Sequence, residues 1–142
     1  MPIPEDIFDR IKGCRYFTIM DMRQGFNQIK VRPQDKVKTA FSTSNRRWQW
    51  TVMPFGLKNA GACFQKVMDD ALAHHPNAKC YIDDVLIYST TFGQHLLHIR
   101  QAFDSIAAMG LKAHPTKCVL DAQEVPYLGH LLSASGVRHM EV

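Results

Sequence analysis

Metal-binding and disulfide signatures are missing from this 142-residue chain. Its four cysteines form no CxxC pair, which argues against a zinc site or a disulfide framework and favours reduced, mostly buried thiols. Its seven histidines form no HExxH motif. His95 and His98 lie three residues apart on a predicted helix, but without cysteine or acidic partners nearby they are not favoured as metal ligands.

Long apolar runs and targeting signals are also missing. No apolar stretch approaches the length of a membrane span, and the polar, acidic start, Met1 to Asp6, does not resemble a signal peptide. We therefore expect no membrane partner and an intracellular protein, cytoplasmic or nuclear, that is not secreted.

The overall composition indicates one globular domain, or a piece of a larger one. Hydrophobic residues make up 46% of the chain and charged residues 21%, which excludes disorder as the main state. The net charge of +4 favours a polyanionic partner. Six basic residues against one acid, Asp35, lie between Lys30 and Arg47. A phosphate-binding track and a solvated strand face explain this patch about equally well.

Two adjacent acids, Asp83 and Asp84, lie between the β-prone runs Ala78 to Ile82 and Val85 to Tyr88. This pattern predicts a β-hairpin with both carboxylates at its tip. Like charges repel on a tight turn, and a divalent cation would neutralise them. A solvated acidic turn remains the alternative reading.

A third acid, Asp21, ends the apolar, strand-like segment Tyr16 to Met22. A carboxylate at the end of a buried strand is costly unless it has a partner. Because Gly25 follows four residues later, a turn or helix-capping role for Asp21 stays open.

The remaining patterns predict an α+β fold with an antiparallel sheet and helices on one face. Helices are expected from Pro4 to Lys12, from Asn59 to Ala73, and over an amphipathic stretch that Gly110 ends. The apolar stripe of that last helix is Phe92, Leu96, Ile99, Phe103 and Ile106. Further strands are expected at Phe26 to Arg32, Lys38 to Thr43, Arg47 to Met53 and Lys117 to Leu120. Val125 to Leu132 is expected to form a pair of strands folded around Gly129.

Several of these segments resemble the boxes of reverse transcriptases. Tyr81-Ile82-Asp83-Asp84 is similar to the YxDD box, and Asp21 with Phe26 is similar to the first catalytic aspartate and the bulky residue behind it. The further matching segments follow in the family's order: Lys38-Thr39-Ala40-Phe41, Met53 to Ala60 with Phe64-Gln65, Gly110-Leu111 with Lys117-Cys118, and Tyr127-Leu128-Gly129-His130. The MPFGL and LGH segments are typical of Ty3/Gypsy LTR retrotransposons and pararetroviruses.

The resemblance implies a role for each matching residue. The catalytic set would be Asp21, Asp83, Asp84 and Lys117, in which the three aspartates bind two Mg²⁺ ions, with Mn²⁺ as a substitute, and Lys117 donates a proton to pyrophosphate. The nucleotide pocket would contain Met22, Phe26, Phe55 and Gly56. The primer grip would be Leu128, Gly129 and His130. A core aromatic remains the alternative for Phe26, and an ordinary surface lysine for Lys117.

At the level of the whole chain, the resemblance implies a reverse transcriptase palm with part of the fingers over residues 1–142. Upstream fingers, thumb, connection and RNase H would lie outside this chain, so we expect little processive synthesis from it alone. The implied partners are an RNA or DNA template with primer, dNTPs, and the rest of a polyprotein or a host assembly, in virus-like particles where these form. The alternative is a retroelement remnant retained as a non-catalytic structural or binding subunit.

Overall fold

The computed structural model describes residues 4–22, 29–54, 60–81, 84–113 and 118–139. Its elements follow in the order α1 (Pro4–Arg10), β1 (Tyr16–Asp21), a 3-10 helix (Pro33–Thr39), β2 (Phe41–Ser42), β3 (Arg47–Trp48), α2 (Ala60–Ala71), β4 (Ala78–Tyr81), β5 (Asp84–Ser89), α3 (Phe92–Ala108), β6 (Val119–Ala122), β7 (Glu124–Tyr127), β8 (His130–Ser133) and β9 (Gly136–His139). This combination of helices and antiparallel strands confirms the predicted α+β class.

The central sheet has four antiparallel strands in the order β4-β5-β1-β6. Its middle strands, β1 and β5, are nearly continuous apolar runs because both of their faces are buried. Successive side chains point to opposite faces of a strand. Met20 therefore joins one core cluster, whereas Phe17 and Ile19 join another. The sheet is the middle layer between two hydrophobic clusters.

The two long helices cover one face of this sheet. On that face Met20, Val85 and Ile87 of the strands pack against buried residues of α2 and α3, namely Phe64, Met68, Ala102 and Ile106. The opposite face is covered by α1 together with β7 and β8, through Ile7, Ile11, Val125, Tyr127 and Leu132. The prediction that the helices share one face therefore holds for α2 and α3, while the short α1 lies in the second layer.

The strands predicted at Lys38 to Thr43 and Arg47 to Met53 are shorter than expected. Pro33–Thr39 forms a 3-10 helix with no buried residue, and proline suits its first turn. A two-stranded sheet of β2 and β3 follows. For the strand predicted at Phe26 to Arg32, residues 26–28 lie outside the described part. Residues 29–31 pair with 51–53 through backbone hydrogen bonds of 2.9 Å and 2.7 Å.

The C-terminal part of the chain is a three-stranded antiparallel sheet, β7-β8-β9. Leu128 (φ 52°) and Gly129 (φ 76°) connect β7 to β8. Positive φ at both central residues is the pattern of a type I′ hairpin turn. The prediction of paired strands folded around Gly129 is confirmed, whereas β9 was not predicted.

The predicted apolar stripe of α3 is confirmed in its second half and wrong in its first. Ile106 is buried, and Ile99 and Phe103 pack against the same core cluster. Phe92 is 48% exposed and Leu96 is 50% exposed, whereas His95 is fully buried. An apolar periodicity counts histidine as polar and so assigns it to solvent. In the first turns of α3, His95 takes the inward position, where both of its ring nitrogens have hydrogen-bond partners on the sheet.

The two ring nitrogens of His95 contact two different strands. Nε2 lies 2.8 Å from Thr18 Oγ1 on β1, and Nδ1 lies 2.9 Å from Ser89 Oγ on β5. The Ser89 hydroxyl also lies 2.6 Å from His98 Nδ1. Polar groups in a core stabilise a fold only when they are hydrogen-bonded. The hydrogen-bonded network of Thr18, His95, Ser89 and His98 meets that condition.

The buried histidines predict a loss of stability in acid. Burial lowers the pKa of His95 below its ordinary 6.5. The charge of Asp121 opposes this shift, and the charge of His98 adds to it. Burial, followed by the charge of His75, lowers the pKa of His98 as well. Because the unfolded chain then binds protons first, the free energy of unfolding is highest above pH 6.5 and falls as pH drops through the folded pKa values.

This prediction is checked by urea unfolding at several pH values between 8 and 5, at ~0.5-unit spacing. We expect His95→Gln to flatten the decline of the urea midpoint below pH ~6.5, since it removes one of the responsible groups. His74→Gln is the control, because His74 is exposed. An identical decline in His95→Gln and in the unmutated chain would contradict the assignment to His95.

Candidate active site

Asp21 and Asp84 are direct neighbours across the central sheet. Asp21 is the last residue of β1, Asp84 is the first of β5, and the antiparallel register pairs them with each other. Directly opposed residues share a face of the sheet, with Cβ atoms about 4.5–5.5 Å apart. Both side chains are half-buried. Two acids far apart in sequence therefore share one end of the sheet.

The two strands of the hairpin predicted around the acidic pair are present. β4 and β5 are antiparallel, and Tyr81 pairs with Asp84, so two residues separate the paired positions. Asp84 belongs to β5 itself. Asp83, the other acid predicted at the tip, lies outside the described residues.

The predicted nucleotide-pocket residues are described only in part. Met22, next to Asp21, is 2% exposed and forms an isolated antiparallel bridge with Ala113. This bridge continues the line of β1 beyond Asp21. The other predicted residues of the pocket and of proton donation lie outside the described part of the chain: Phe26, Phe55, Gly56 and Lys117.

Leu128, Gly129 and His130, predicted as a primer grip, form the β7–β8 turn and the start of β8. His130 Nδ1 donates a hydrogen bond to the Leu128 carbonyl at 2.9 Å, which braces the turn. The ring of His130 also lies edge-on to Phe8 of α1, with 4.6 Å between centroids. The turn is therefore attached to the layer beneath the sheet.

Tyr127, just before that turn, is a buried residue to which the sequence patterns assigned no role of its own. It is 3% exposed, and its hydroxyl has no hydrogen-bond partner within the part of the chain that the structure describes. Burial, followed by the charges of Cys80, Asp84 and Tyr81, raises the pKa of Tyr127 well above its usual value. The sequence signal for Tyr127 was its membership of the matching segment Tyr127-Leu128-Gly129-His130.

The basic patch contains exposed aromatic residues as well as charge. Phe41, Trp48 and Trp50 are 45%, 48% and 39% exposed, and the guanidinium of Arg46 lies 5.9 Å from the Trp48 ring centroid. The rings of Phe41 and Trp50 are 6.2 Å apart. Aromatic rings and cations thus share one exposed surface on and beside the β2–β3 hairpin. We call this surface, with Phe41, Arg46, Trp48 and Trp50, the basic aromatic surface.

The single acid of this patch is already neutralised. Asp35 forms ion pairs with Arg32 at 2.9 Å and Lys38 at 3.0 Å. The hydrogen bond from Lys38, with the charges of Lys38 and Arg32, lowers the pKa of Asp35. The structure shows no acid paired with Lys36, Arg46 or Arg47 within its described ranges. These three cations remain available to an anionic partner.

The described residues offer neither a complete metal cluster nor a membrane span. Residues 4–22, 29–54, 60–81, 84–113 and 118–139 contain no cluster of three or more histidine, cysteine or acidic side chains arranged for a metal. That range omits Asp83. None of the helices found there combines the length and the apolar character needed to cross a membrane.

Comparison with known sequences gives matches over almost the whole chain. Residues 3–132 match the family described as "Reverse transcriptase (RNA-dependent DNA polymerase)". The Pol polyprotein of transposon 297 from Drosophila melanogaster is 38% identical and covers 96% of this chain. Polyprotein P3 of Commelina yellow mottle virus is 32% identical and covers 97%. This chain spans 13% and 7% of those two polyproteins.

Solved structures show the same fold. The foamy viral protease-reverse transcriptase in complex with an RNA/DNA hybrid superposes with a TM-score of 0.82 at 25% identity, over 89% of this chain and 17% of that one. A second foamy viral structure, in complex with double-stranded DNA, has a TM-score of 0.89 at 24% identity, over 99% of this chain and 25% of that one. Since the family match extends over most of its length, this chain belongs to the reverse transcriptase (RNA-dependent DNA polymerase) family.

Proposed function

We propose that residues 1–142 are the palm, with part of the fingers, of an RNA-directed DNA polymerase that adds deoxynucleotides to a primer 3′-hydroxyl. The observation that carries this proposal is the pairing of Asp21 with Asp84 at one end of the central sheet. Reverse transcriptases generally use divalent metal ions. Because this chain spans a small share of its relatives, we also propose that it acts within a longer polyprotein.

The residues present fit a magnesium site. Mg²⁺ prefers oxygen ligands and is usually bound by one or two carboxylates together with substrate phosphates. Asp21 and Asp84 supply carboxylates from adjacent strands, and Asp83 would add a third. Two bound Mg²⁺ ions, or Mn²⁺ as substitutes, would activate the attacking hydroxyl and stabilise the leaving pyrophosphate.

The energetic cost of this arrangement argues for catalysis over a purely structural role. Like charges directly opposite each other destabilise a pair of strands. A bound divalent cation would offset this cost, so the pairing of the two acids supports a catalytic role. No feature of the described residues favours the alternative of a remnant that serves only as a binding or structural subunit.

We assign the substrate-contacting roles by the position of each residue in the family's motifs. Phe26 would lie under the sugar and exclude a 2′-hydroxyl, and Phe55 with Gly56 would line the nucleotide pocket. Met22, adjacent to Asp21, would offer its backbone as a further ligand. Lys117 would donate a proton to pyrophosphate.

The β7–β8 turn is the proposed primer contact. Its backbone is held by the hydrogen bond from His130 to the Leu128 carbonyl and by the contact of His130 with Phe8. A rigid turn can present Leu128, Gly129 and His130 to a nucleic-acid backbone with little loss of conformational freedom on binding. Its attachment to the core then fixes the primer relative to the sheet.

The basic aromatic surface is the proposed contact for unpaired template. Bases stack on exposed aromatic rings, and Arg and Lys neutralise phosphates. Trp48, with Arg46 over its ring, combines both contacts. A template strand, a primer and dNTPs are therefore the proposed partners, and the proposed location is intracellular, cytoplasmic or nuclear.

The first test of this proposal is metal binding by the chain itself. We expect Asp21→Asn and Asp84→Asn each to lower the affinity for Mn²⁺ by about tenfold or more, because each removes a ligand oxygen. Electron paramagnetic resonance measures the free Mn²⁺, and titration calorimetry measures the heat of binding; either one gives the affinity. Neither substitution should lower the melting temperature, since relief of carboxylate repulsion contributes up to about 1 kcal/mol of stability.

Asp104→Asn is the matched control for that titration, because Asp104 is an exposed acid on α3. It should leave the Mn²⁺ affinity unchanged. A melting temperature that falls sharply in Asp21→Asn while the Mn²⁺ affinity stays constant would show that Asp21 serves folding alone.

A second test is Mn²⁺- or Mg²⁺-dependent primer extension by the 142-residue chain, with Asp83→Asn as the inactive control. We expect little or no processive synthesis, because fingers and thumb outside this chain would be needed to hold the primer and template. Robust extension by the chain alone would overturn the proposal that those parts are required.

A third test concerns the basic aromatic surface. We expect Trp48→Ala to weaken binding of a fluorescein-labelled single-stranded RNA by about fivefold or more, since stacking on one base is worth roughly 1–3 kcal/mol. Arg46→Gln should also reduce the salt dependence of binding by about one unit of slope. Fluorescence anisotropy at several salt concentrations measures both effects.

Phe92→Ala is the control, because Phe92 is exposed to the same extent, 48%, on α3. Equal losses in Trp48→Ala and Phe92→Ala would contradict a specific surface.

A further inference from the structure

We propose that His95 is a positioning residue for the metal-binding carboxylates: by bonding to Thr18 and Ser89 it holds β1 against β5 in the register that sets Asp21 opposite Asp84. This inference rests on the proposed function, because it assigns His95 a purpose through those two acids. His95 itself does not touch the site. Thr18 and Asp21 are three residues apart on β1, and residues an odd number apart on a strand face opposite sides of the sheet.

The contacts of His95 are specific to one strand register. In the observed pairing, Thr18 is opposite Ile87 and Tyr16 is opposite Ser89, so His95 joins a diagonal pair of positions on one face. A slip of one residue would turn Thr18 to the other face of the sheet. A slip of two residues would separate the paired acids by about 6–7 Å along the strands. Either slip breaks at least one bond to the imidazole and also separates Asp21 from Asp84.

A third strand, β6, also forms a hydrogen bond with Thr18. The backbone N–H of Asp121 on β6 donates to Thr18 Oγ1 at 3.0 Å. Thr18 lies where the β1–β6 pairing shifts register, between Phe17 and Ile19. Its hydroxyl therefore accepts a hydrogen bond at an irregular point of the ladder. Through Thr18, Ser89 and Asp121, His95 links α3 to three adjacent strands of the central sheet.

One placement of protons satisfies this chain of contacts without any charge. Thr18 donates to His95 Nε2, His95 Nδ1 donates to Ser89, and Ser89 donates to His98 Nδ1. Each group donates once, and Thr18 still accepts from Asp121. An apolar residue at position 95 would leave the Thr18 and Ser89 hydroxyls without these partners, which costs more than the absence of a single surface hydrogen bond. The link is thus directional as well as buried.

The test measures Mn²⁺ affinity and strand register in the full 142-residue chain. We expect His95→Leu and Thr18→Val each to weaken Mn²⁺ binding by about tenfold, in the range seen when outer-shell partners of metal ligands are removed. Thr18→Ser keeps the hydroxyl and should restore the affinity. The double variant should lose little more than either single one, since both remove the same bond. The Mn²⁺ titrations use conditions in which circular dichroism shows each variant to be folded. His74→Gln is the control variant.

The second measurement needs no metal. Cross-strand nuclear Overhauser contacts between Asp21 and Asp84 report the register directly, and we expect them to weaken in His95→Leu and Thr18→Val and to persist in Thr18→Ser. A purely structural histidine would lower the melting temperature but leave both the contacts and the Mn²⁺ affinity of the folded chain unchanged. That result would overturn the inference.

The two proposals fail in different ways. If Asp21→Asn abolishes Mn²⁺ binding while His95→Leu binds as the unmutated chain does, the role of His95 is wrong and the polymerase site stands. If the unmutated chain does not bind Mn²⁺, the proposed function fails. The Asp21–Asp84 contacts in His95→Leu then decide alone whether His95 sets the register. Thr18→Val keeps the test available should His95→Leu fail to fold, because it removes a single hydroxyl with little change in volume.

Discussion

The structure depends on holding two carboxylates, Asp21 and Asp84, opposite each other on adjacent strands. Repulsion between them favours separation of the strands at that end of the sheet. The rest of the fold opposes this separation. β1 and β5 are the two middle strands of the central sheet, and apolar clusters cover them on both faces. Hydrophobic burial along the length of the strands therefore outweighs a local electrostatic cost at their ends.

The two faces of the central sheet carry different groups of functional side chains. By the alternation of side chains, the acids share the face that carries Phe17, Ile19 and Leu86, where α1 and β7–β8 pack. Tyr127 lies on that side, where burial, more than the neighbouring charges, raises its pKa. The other face holds α2 and α3 and the hydrogen-bonded chain through His95. Contacts that set the register and contacts that serve the carboxylates thus occupy different layers.

Polar groups inside this domain contribute specificity where apolar packing does not. A hydrophobic cluster tolerates changes of shape and small displacements, but the distances of 2.8 Å and 2.9 Å around His95 tolerate neither. Thr18 and His95 are 77 residues apart in the chain. A buried histidine with both nitrogens engaged can therefore fix a long-range strand register that apolar side chains leave less well defined.

Local sequence patterns determined the α+β class, the hairpin around Asp84, the strand that ends at Asp21 and the turn at Gly129, because periodicity, turn residues and apolar runs act over a few neighbouring residues. Tertiary structure alone decided that β1 pairs with β5 in a register that joins Asp21 to Asp84, and that α3 turns His95 inward while Phe92 and Leu96 face solvent. These outcomes depend on partners distant in the chain, and no local pattern specifies which distant strand or hydroxyl a residue will meet.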